Sequence, residues 1–274
     1  LGEQRGWSHA CSLSFIQGER GTLGCWSEER SGCEVSFHGA VLPGERAWLA
    51  FEAHGEPPYP ERREVTAAPW RLAAARGGWH SIADRYRREV LLPLRPKAFR
   101  QPAWVRDIAC CIFYYTSTDG DLEFMAKHLD PARTLVVFPF FRKHGFDQGY
   151  PDWSPSETFP ALHRRALELG FRTCLWSNGG AIDPRLPTYE ALKRFQKRDP
   201  LTGKLLGWMW NDDPARWQRT TCAQIHRGSS EYRRILVEGM KQVTEELRPS
   251  AWHIDYSIGI ADGLGRVEGM TDFE

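Results

Sequence analysis

The sequence predicts an α/β fold with a parallel sheet, preceded by a partial antiparallel β-sandwich. From residue 104 onward, apolar runs alternate with amphipathic helical segments, and strands that alternate with helices form parallel sheets. Before residue 73, short apolar runs are separated by glycine and proline, which is the spacing of an antiparallel sandwich. A third observation is that the last apolar run, residues 251–256, carries the carboxylate Asp255 near its end.

The first 73 residues are interpreted as part of a sandwich domain. Strands are predicted at Ser12–Ile16, Thr22–Trp26, Val35–Phe37 and Ala47–Phe51, and glycines or Pro43-Gly44 separate them. Residues 74–103 are predicted to form a linker helix and a connection. The helix runs from Trp79 to Leu92, where apolar side chains recur at helical spacing, and a proline-rich stretch follows it.

Residues 104–274 are predicted to form successive βα units. The predicted strands are Val105–Tyr115, Thr134–Phe141, Phe171–Trp176 and Trp252–Tyr256. The predicted helices are Asp121–Leu129, Ser156–Leu169 with Ser156 as N-cap, and Ser229–Leu247. A long insertion, residues 178–228, separates the third strand from the last helix. It is expected to hold a short helix, Thr188–Gln196, and a hairpin, and insertions of this length in compact domains are usually functional.

The four strands end on polar or aromatic residues, which favours a barrel over an open nucleotide-binding sheet. Active sites of (β/α) barrels form at the carboxyl ends of the strands. The first βα turn, residues 116–121, has neither G-x-G-x-x-G nor Walker A spacing. The predicted fold is therefore the first half of a (β/α)8 TIM-type barrel.

The composition excludes several classes of function. The formal net charge is +1, so no electrostatic field attracts nucleic acid or an anionic membrane, and neither partner is predicted. No apolar stretch approaches the length of a membrane span. The seven cysteines have no metal-binding spacing, and no serine-hydrolase elbow, paired-histidine zinc motif or P-loop is present. No cofactor is expected, and neither compartment nor oligomeric state is predicted.

Asp255 is the strongest candidate for a catalytic group. It ends a buried-type strand fed by a helix, the context in which barrels place catalytic carboxylates. The alternative is that Asp255 caps the next turn. His253 precedes it by two residues and therefore points to the same face, whereas Trp252 points to the helices.

The candidate substrate-binding residues are aromatic or polar side chains near the other strand ends. Aromatic faces pack against sugar C–H groups, while carboxylates and amides bind sugar hydroxyls. These candidates are Tyr115, Asp152, Trp153, Trp176, Asn178, Trp210 and His253. For Trp153 the alternative is a core position, for Asn178 a structural turn, and for His253 a satisfied core histidine. Trp208, Trp210 and Trp217 of the insertion form either a stacking wall for the sugar or the insertion's own small core. His226 is expected to be a solvated loop residue.

These motifs resemble the (β/α)8 glycoside hydrolases with an N-terminal β-sandwich, related to endo-α-N-acetylgalactosaminidases and α-galactosidases. The resemblance rests on Trp79–Arg87, Gly149–Trp153, Ala166–Phe171 leading into Trp176–Asn178, and His253–Asp255. It covers most of residues 70–260.

The resemblance implies hydrolysis of a glycosidic bond by a retaining mechanism, with Asp255 as nucleophile and an acid/base from a later strand. No such strand follows Asp255 here; Asp262, Glu268, Asp272 and Glu274 are expected to lie in a loop at the rim of the site. We therefore expect a fragment, inactive alone, whose acid/base lies beyond residue 274. The alternative is a noncatalytic glycan-binding protein on a degenerate barrel.

Overall fold

The structure is a computed structural model that describes residues 4–5, 13–28, 35–42, 46–53, 68–94, 101–115, 120–213, 215–216, 221–255 and 262–272. The chain divides into two compact units, one within Leu1–Arg100 and the other within Gln101–Ser257 and Asp262–Asp272. Trp217 of the insertion, the turn at 116–119 and the predicted rim residue Glu274 lie outside the described residues.

The first unit contains two antiparallel sheets of three strands each. In chain order the strands are β1 (Gln4–Arg5), β2 (Leu13–Gly18), β3 (Gly21–Ser27), β4 (Val35–Leu42), β5 (Arg46–Ala53) and β6 (Trp70–Ala75). The sheet orders are β1-β4-β5 and β2-β3-β6. Antiparallel pairing is thus confirmed, whereas the sandwich arrangement and the boundaries at 73 and 103 stay predictions.

The predicted linker helix begins as α1 (His80–Tyr86), continues through a π turn (Arg87–Leu91) and ends as α2 (Leu92–Leu94). Its buried side chains Ile82, Tyr86 and Val90 pack with Trp26 of β3. A Cβ at Gly24 would lie 2.1 Å from Ile82 Cγ2, so only glycine allows this close approach.

The second unit is built around a parallel sheet. Its elements in chain order are β7 (Cys110–Phe113), α3 (Gly120–His128), β8 (Thr134–Phe138), α4 (Phe159–Glu168), β9 (Arg172–Asn178), β10 (Ala181–Ile182), α5 (Pro187–Leu192), β11 (Gly207–Trp208), β12 (Cys222–Gln224), α6 (Ser230–Leu247) and β13 (Ala251–Asp255). The parallel sheet has the order β7-β8-β9-β13, so spatial order follows chain order. A doubly wound sheet reverses direction at a switch point. The predicted α/β fold with the strand order of a half-barrel is therefore confirmed.

The two faces of this sheet differ. Side chains of one face, among them Val136, Phe138, Leu175 and Trp252, belong to or pack against the main core together with α3, α4 and α6. The other face carries Phe113, Trp176 and His253, which are partly exposed. Because residues alternate along a strand, Asp255 lies on the same face as His253. This second face corresponds to the interior of a barrel.

Several predicted boundaries were wrong, and two of the reasons are prolines. Strand β8 ends at Phe138 and not at 141, because Pro139 has no N–H for the ladder. Helix α4 begins at Phe159, with Thr158 rather than Ser156 at the N-cap position. Pro160 has no N–H to donate, and only in the first turn of a helix is that donor not needed. The helix therefore begins just before Pro160. Residues 103–107 form a 3₁₀ turn, so the first strand is shorter than predicted.

The insertion after β9 folds into a small antiparallel sheet of order β10-β12-β11. The predicted hairpin is represented by the β11–β12 pair, whereas strand β10 was not predicted. Ile182, Tyr189, Leu192 and Ile225 form a separate buried cluster under this sheet. Within the described ranges, no helix is both long and apolar enough to cross a bilayer.

Candidate functional site

Asp255 and Asn178 end neighbouring parallel strands and are paired with each other in the β13–β9 register. Asn178 is 3% exposed, and Asp255 is half-buried. The N–H of Gly179 donates to the Asp255 carbonyl oxygen at 2.7 Å. Register places both side chains on the face of the sheet away from the helices, at its carboxyl edge. Barrel enzymes place their reacting groups at this edge.

The Asn178 side chain is held in one orientation. Its Oδ1 accepts a hydrogen bond from Gly180 N at 3.0 Å. Its own backbone N–H donates to the Tyr150 hydroxyl at 2.7 Å. With the carbonyl oxygen engaged, the amide group is left as a donor, and its hydrogen bond opposes the upward shift of the Asp147 pKa.

Asp147 is the site residue that the sequence analysis missed. Its Oδ1 accepts a hydrogen bond from the Tyr150 hydroxyl at 3.3 Å, and the side chain is 1% exposed. Its backbone is left-handed, with φ 51°, which is uncommon for a residue other than glycine. Its Oδ2 is buried and makes no hydrogen bond within the described part of the chain. Strained backbone and an unsatisfied buried oxygen both accumulate at functional sites.

The electrostatic environment links Asp147 to Asp255. Burial raises the pKa of the Asp147 carboxyl, and the negative charge of Asp255 raises it further. Arg142, the Tyr150 hydroxyl and Asn178 act in the opposite direction without reversing the shift. Proteins use nearby charges of both signs, such as a second carboxylate and a buried cation, to shift the pKa of groups that act as acids or bases.

Arg142 organises the loop that carries Asp147. Its guanidinium donates to the carbonyl oxygens of Gln148 at 2.6 Å and Gly145 at 3.1 Å. It lies over the Tyr150 ring, 3.8 Å from the centroid. The side chain is 2% exposed, and burial lowers the pKa of its guanidinium. A buried cation that bridges two carbonyls and an aromatic face fixes the loop beside the strand ends.

An aromatic surface borders the acidic pair on the same face. Trp176 stacks on His253 with centroids 4.0 Å apart. Phe113 meets Trp176 edge-on at 5.6 Å, and Phe146 packs on Trp176 at 5.7 Å. The indole N–H of Trp176 finds no acceptor among the residues that the structure describes. Trp176 and His253 thus lie together as the strand register predicts, two residues before Asn178 and Asp255.

Trp153 does not offer a stacking face, and this part of the predicted site is corrected. The side chain is 3% exposed, and its indole N–H donates to the Ser177 hydroxyl at 2.9 Å. Trp153 therefore belongs to the core on the helical side of the sheet. Helix α6 approaches it closely through Gly239, where a Cβ would lie 2.1 Å from the ring.

The other predicted contacts are dispersed. Tyr115 is 66% exposed after β7. Asp152 forms ion pairs with Lys143 and, at 3.1 Å, His144. Burial raises the pKa of the Asp152 carboxyl, but hydrogen bonds from Lys143 and Ser154 outweigh it and the net shift is downward. Trp210 packs against the core of the insertion, with its ring centroid 6.1 Å from that of Tyr189, as the core alternative predicts.

His226 is buried, so the expected solvated histidine was wrong. Its Nδ1 accepts from Gly228 N at 2.9 Å, which leaves Nε2 to donate to the Gly265 carbonyl oxygen at 3.0 Å. The two ring nitrogens therefore satisfy one backbone donor and one backbone acceptor. This explains why the ring is fully enclosed.

The segment after Asp255 is also more deeply packed than expected. Asp272 lies in a buried ion-pair cluster with Lys197 and Arg227. Asp262 Oδ1 accepts from Arg198 N at 2.8 Å, and its side chain is buried. Both acids therefore anchor residues 262–272 to the insertion and do not lie at a solvent rim. No cluster of three potential metal ligands occurs in the described ranges.

No family model matches the chain, and no curated protein matches it. Several solved structures, in contrast, match most of the chain. The α-N-acetylgalactosaminidase NagBb from Bifidobacterium bifidum, in complex with Gal-NHAc-DNJ, superposes with a TM-score of 0.67 at 12% identity. The match covers 96% of this chain and 46% of that one.

The α-galactosidase TtGalA from Thermus thermophilus is a further neighbour. Its complex with p-nitrophenyl α-D-galactopyranoside has a TM-score of 0.54 at 16% identity, covering 93% of this chain and 47% of that one. Its stachyose complex gives a TM-score of 0.55. The chain thus spans about half the length of these glycoside hydrolases and shares their fold over that span.

Proposed function

We propose that the protein is a glycoside hydrolase in which Asp255 is the nucleophile of a retaining reaction. The observation that carries the proposal is the pairing of Asp255 with Asn178 at the carboxyl edge of the sheet, where the Tyr150 hydroxyl joins the Asn178 backbone to the buried carboxyl group of Asp147. Barrel enzymes act at this edge, and glycosidases use carboxylates there. The likeness of the fold to glycoside hydrolases supports the same reaction class.

In this reaction Asp255 attacks the anomeric carbon of the sugar, and the bond to the leaving oxygen breaks. A second acid donates a proton to that oxygen, and a covalent glycosyl–aspartate ester remains. Water, deprotonated by the same second group, then displaces Asp255 and restores both residues. A retaining reaction needs the two carboxyl groups about 5 Å apart. None of the described residues is assigned the role of this second acid.

Asp147 serves as a positioning residue in this proposal. Its side chain is buried and its Oδ1 accepts a hydrogen bond from the Tyr150 hydroxyl, so we assign it a role through its neighbours. Through the Tyr150 hydroxyl it is connected to the backbone of Asn178, which pairs with Asp255. This chain of hydrogen bonds holds the end of β9 in place beside Asp255.

The proposed substrate contacts are Asn178, Trp176, His253 and Tyr115, with Asp152 and Trp210 as more distant candidates. The first sugars to test are α-linked N-acetylgalactosamine and galactose, because the similar structures are enzymes named for these sugars. A screen of aryl α- and β-glycosides against the complete gene product tests the proposal directly. Release of p-nitrophenol from one of them, lost in Asp255→Asn, is expected. The absence of cleavage for every aryl glycoside and natural oligosaccharide would refute it.

A noncatalytic glycan-binding protein is the second candidate. It is favoured by one observation: among the described ends of the four parallel strands, only β13 terminates on a carboxylate. Such a protein would bind the same sugars through the aromatic face. Binding of a glycan by calorimetry, without any hydrolysis after prolonged incubation, would distinguish it from the enzyme.

A further inference from the structure

We infer that the carboxyl edge of β7 and β8 holds a second sugar-binding position, so that the preferred ligand is an oligosaccharide and not a single sugar on a small leaving group. This inference rests on the proposed function, because it extends the same site. Tyr115 and Phe140, which follow these two strands, form this second position together with the pocket behind them.

Two large aromatic side chains are left open to solvent at this edge. Tyr115 is 66% exposed and Phe140 is 48% exposed. Their rings lie 5.9 Å apart at an interplanar angle of 65°. A single exposed aromatic residue is ordinary, but adjoining exposed rings at a strand edge mark an interaction surface. Their free faces match the C–H faces of a sugar ring.

The pocket behind these rings combines an apolar wall with hydroxyl groups. It has a volume of about 220 Å³, and Phe138, Phe159 and Leu162 contribute to its apolar lining. Ser156 and Thr158 also line it. Neither hydroxyl makes a hydrogen bond to another described residue, and the Thr158 side chain does not cap α4. Each hydroxyl is therefore available both to donate to and to accept from a sugar hydroxyl.

A row of aromatic contacts connects this position with the strand of Asp255. Phe140 packs on Phe146 at 5.7 Å, and Phe146 packs on Trp176 at the same distance. Trp176 in turn stacks on His253, two residues before Asp255. An occupant that contacts both ends of this row is extended and presents repeated C–H faces. A linear chain of sugars has that shape and that surface.

The experiment measures binding, with cleavage blocked by Asp255→Asn. Four ligands are titrated into the protein by calorimetry, in two pairs. The first pair is galactose and stachyose, and the second is N-acetylgalactosamine and a trisaccharide that ends in α-linked N-acetylgalactosamine. In at least one series the oligosaccharide should bind about tenfold more tightly than its monosaccharide. Tyr115→Ala and Phe140→Ala should each weaken oligosaccharide binding about three- to tenfold, and Phe140→Ala should leave monosaccharide binding unchanged.

Two variants serve as controls. Tyr115→Phe keeps the ring and should retain the preference for the oligosaccharide. Phe124→Ala removes a ring that is 63% exposed on α3 but does not line the pocket, so it should change neither Kd. Circular dichroism verifies that each variant is folded, which is expected because the replaced rings are exposed.

The inference is overturned if oligosaccharide and monosaccharide bind equally in both series, if both alanine variants weaken the two ligands alike, or if none of the four probes binds. A length preference that depends on Tyr115, found in a protein that cleaves no glycoside, would refute only the proposed hydrolysis. Cleavage of aryl glycosides without a length preference would refute only this inference.

Discussion

Asn178 and Asp255 are directly paired across two parallel strands, and the Gly179 N–H donates to the Asp255 carbonyl oxygen. Strand pairing therefore fixes the backbones of the two residues relative to each other, independently of the surrounding loops. The Asp147 carboxyl reaches the same strand end through the Tyr150 hydroxyl. Sites built on strands are more precisely placed than sites built on loops.

Replacement of Asp255 by Asn should abolish cleavage and leave the fold intact. The amide fills the same space but cannot form the covalent ester, so kcat should fall by about 10⁴-fold or more, as for other essential nucleophiles. In Asp255→Ala, added azide should restore turnover by taking the place of the carboxylate. Asp107→Asn, at an exposed position before β7, is the matched control and should keep wild-type rates. Undiminished turnover in Asp255→Asn would contradict the assignment.

Asp147→Asn should change the pH dependence of stability in a defined direction. The folded protein raises the pKa of Asp147 above its unfolded value of about 3.9, so ionisation is disfavoured in the folded state. The wild type therefore loses stability relative to the variant as pH rises from about 4 through the folded pKa. Asparagine tolerates the left-handed backbone better than most residues.

Chemical denaturation of both proteins between pH 4 and 7 measures this difference. The unfolding free energy of the variant minus that of the wild type should increase with pH over this interval. A difference that stays constant would show that Asp147 titrates normally. Aryl-glycoside assays of the same variant should show a reduced kcat, because the titratable carboxyl group that interacts electrostatically with Asp255 is lost.

Gly239→Ala should destabilise the protein although alanine favours helices. The new Cβ would lie 2.1 Å from the buried Trp153 ring. Overpacking costs about 1–3 kcal/mol, whereas the gain in helix propensity is about 1 kcal/mol. We expect a net loss of up to about 2 kcal/mol in urea denaturation. Trp153→Phe in the same chain should recover part of it.

Lys241→Ala on the same helix provides the comparison for Gly239→Ala. Its side chain is 70% exposed and forms an exposed pair with Glu245. Its effect should stay within about 0.5 kcal/mol. A stabilised Gly239→Ala variant would mean that α6 and Trp153 do not approach as closely as described.

Lys197→Met should reduce stability by about 3 kcal/mol because it leaves the buried Asp272 without one of its two cations. Burial raises the pKa of Asp272, but Lys197 and Arg227 outweigh it and lower the pKa below its usual range. The stabilisation is therefore present above pH about 4 and is lost as pH falls through the folded pKa. Lys241→Met, which breaks an exposed pair, should have little effect. Equal losses at neutral and strongly acidic pH would contradict this account.

The periodicity of the sequence predicted the parallel strands, their order of appearance and the alternation that puts His253 and Asp255 on one face. It also predicted Asn178 and Trp176 near Asp255, because the carboxyl ends of parallel strands meet at one edge. Where the strand and helix boundaries failed, Pro139 and Pro160 were the local reason. The missing proline N–H accounts for the end of β8 and for the start of α4.

Periodicity carries no information on whether an indole in a loop faces a ligand or the core, and Trp153 proved to be a core residue. Asp147 shows the same limit. It lies in an irregular loop without a motif, and its significance depends on burial, on the Tyr150 hydroxyl and on the Arg142 guanidinium. Its position between Gly145 and Gly149 was the only signal in the sequence. His226 was enclosed by segments more than 30 residues away in the chain.

The kinds of secondary structure, the parallel order of the strands and the face on which Asp255 lies thus follow from the sequence, because strand alternation is a local property of the backbone. Only the tertiary structure decided which polar groups surround that carboxylate and which aromatic rings remain open. Those contacts join residues far apart in the chain, and the protonation of the carboxyl groups involved depends on how deeply they are buried.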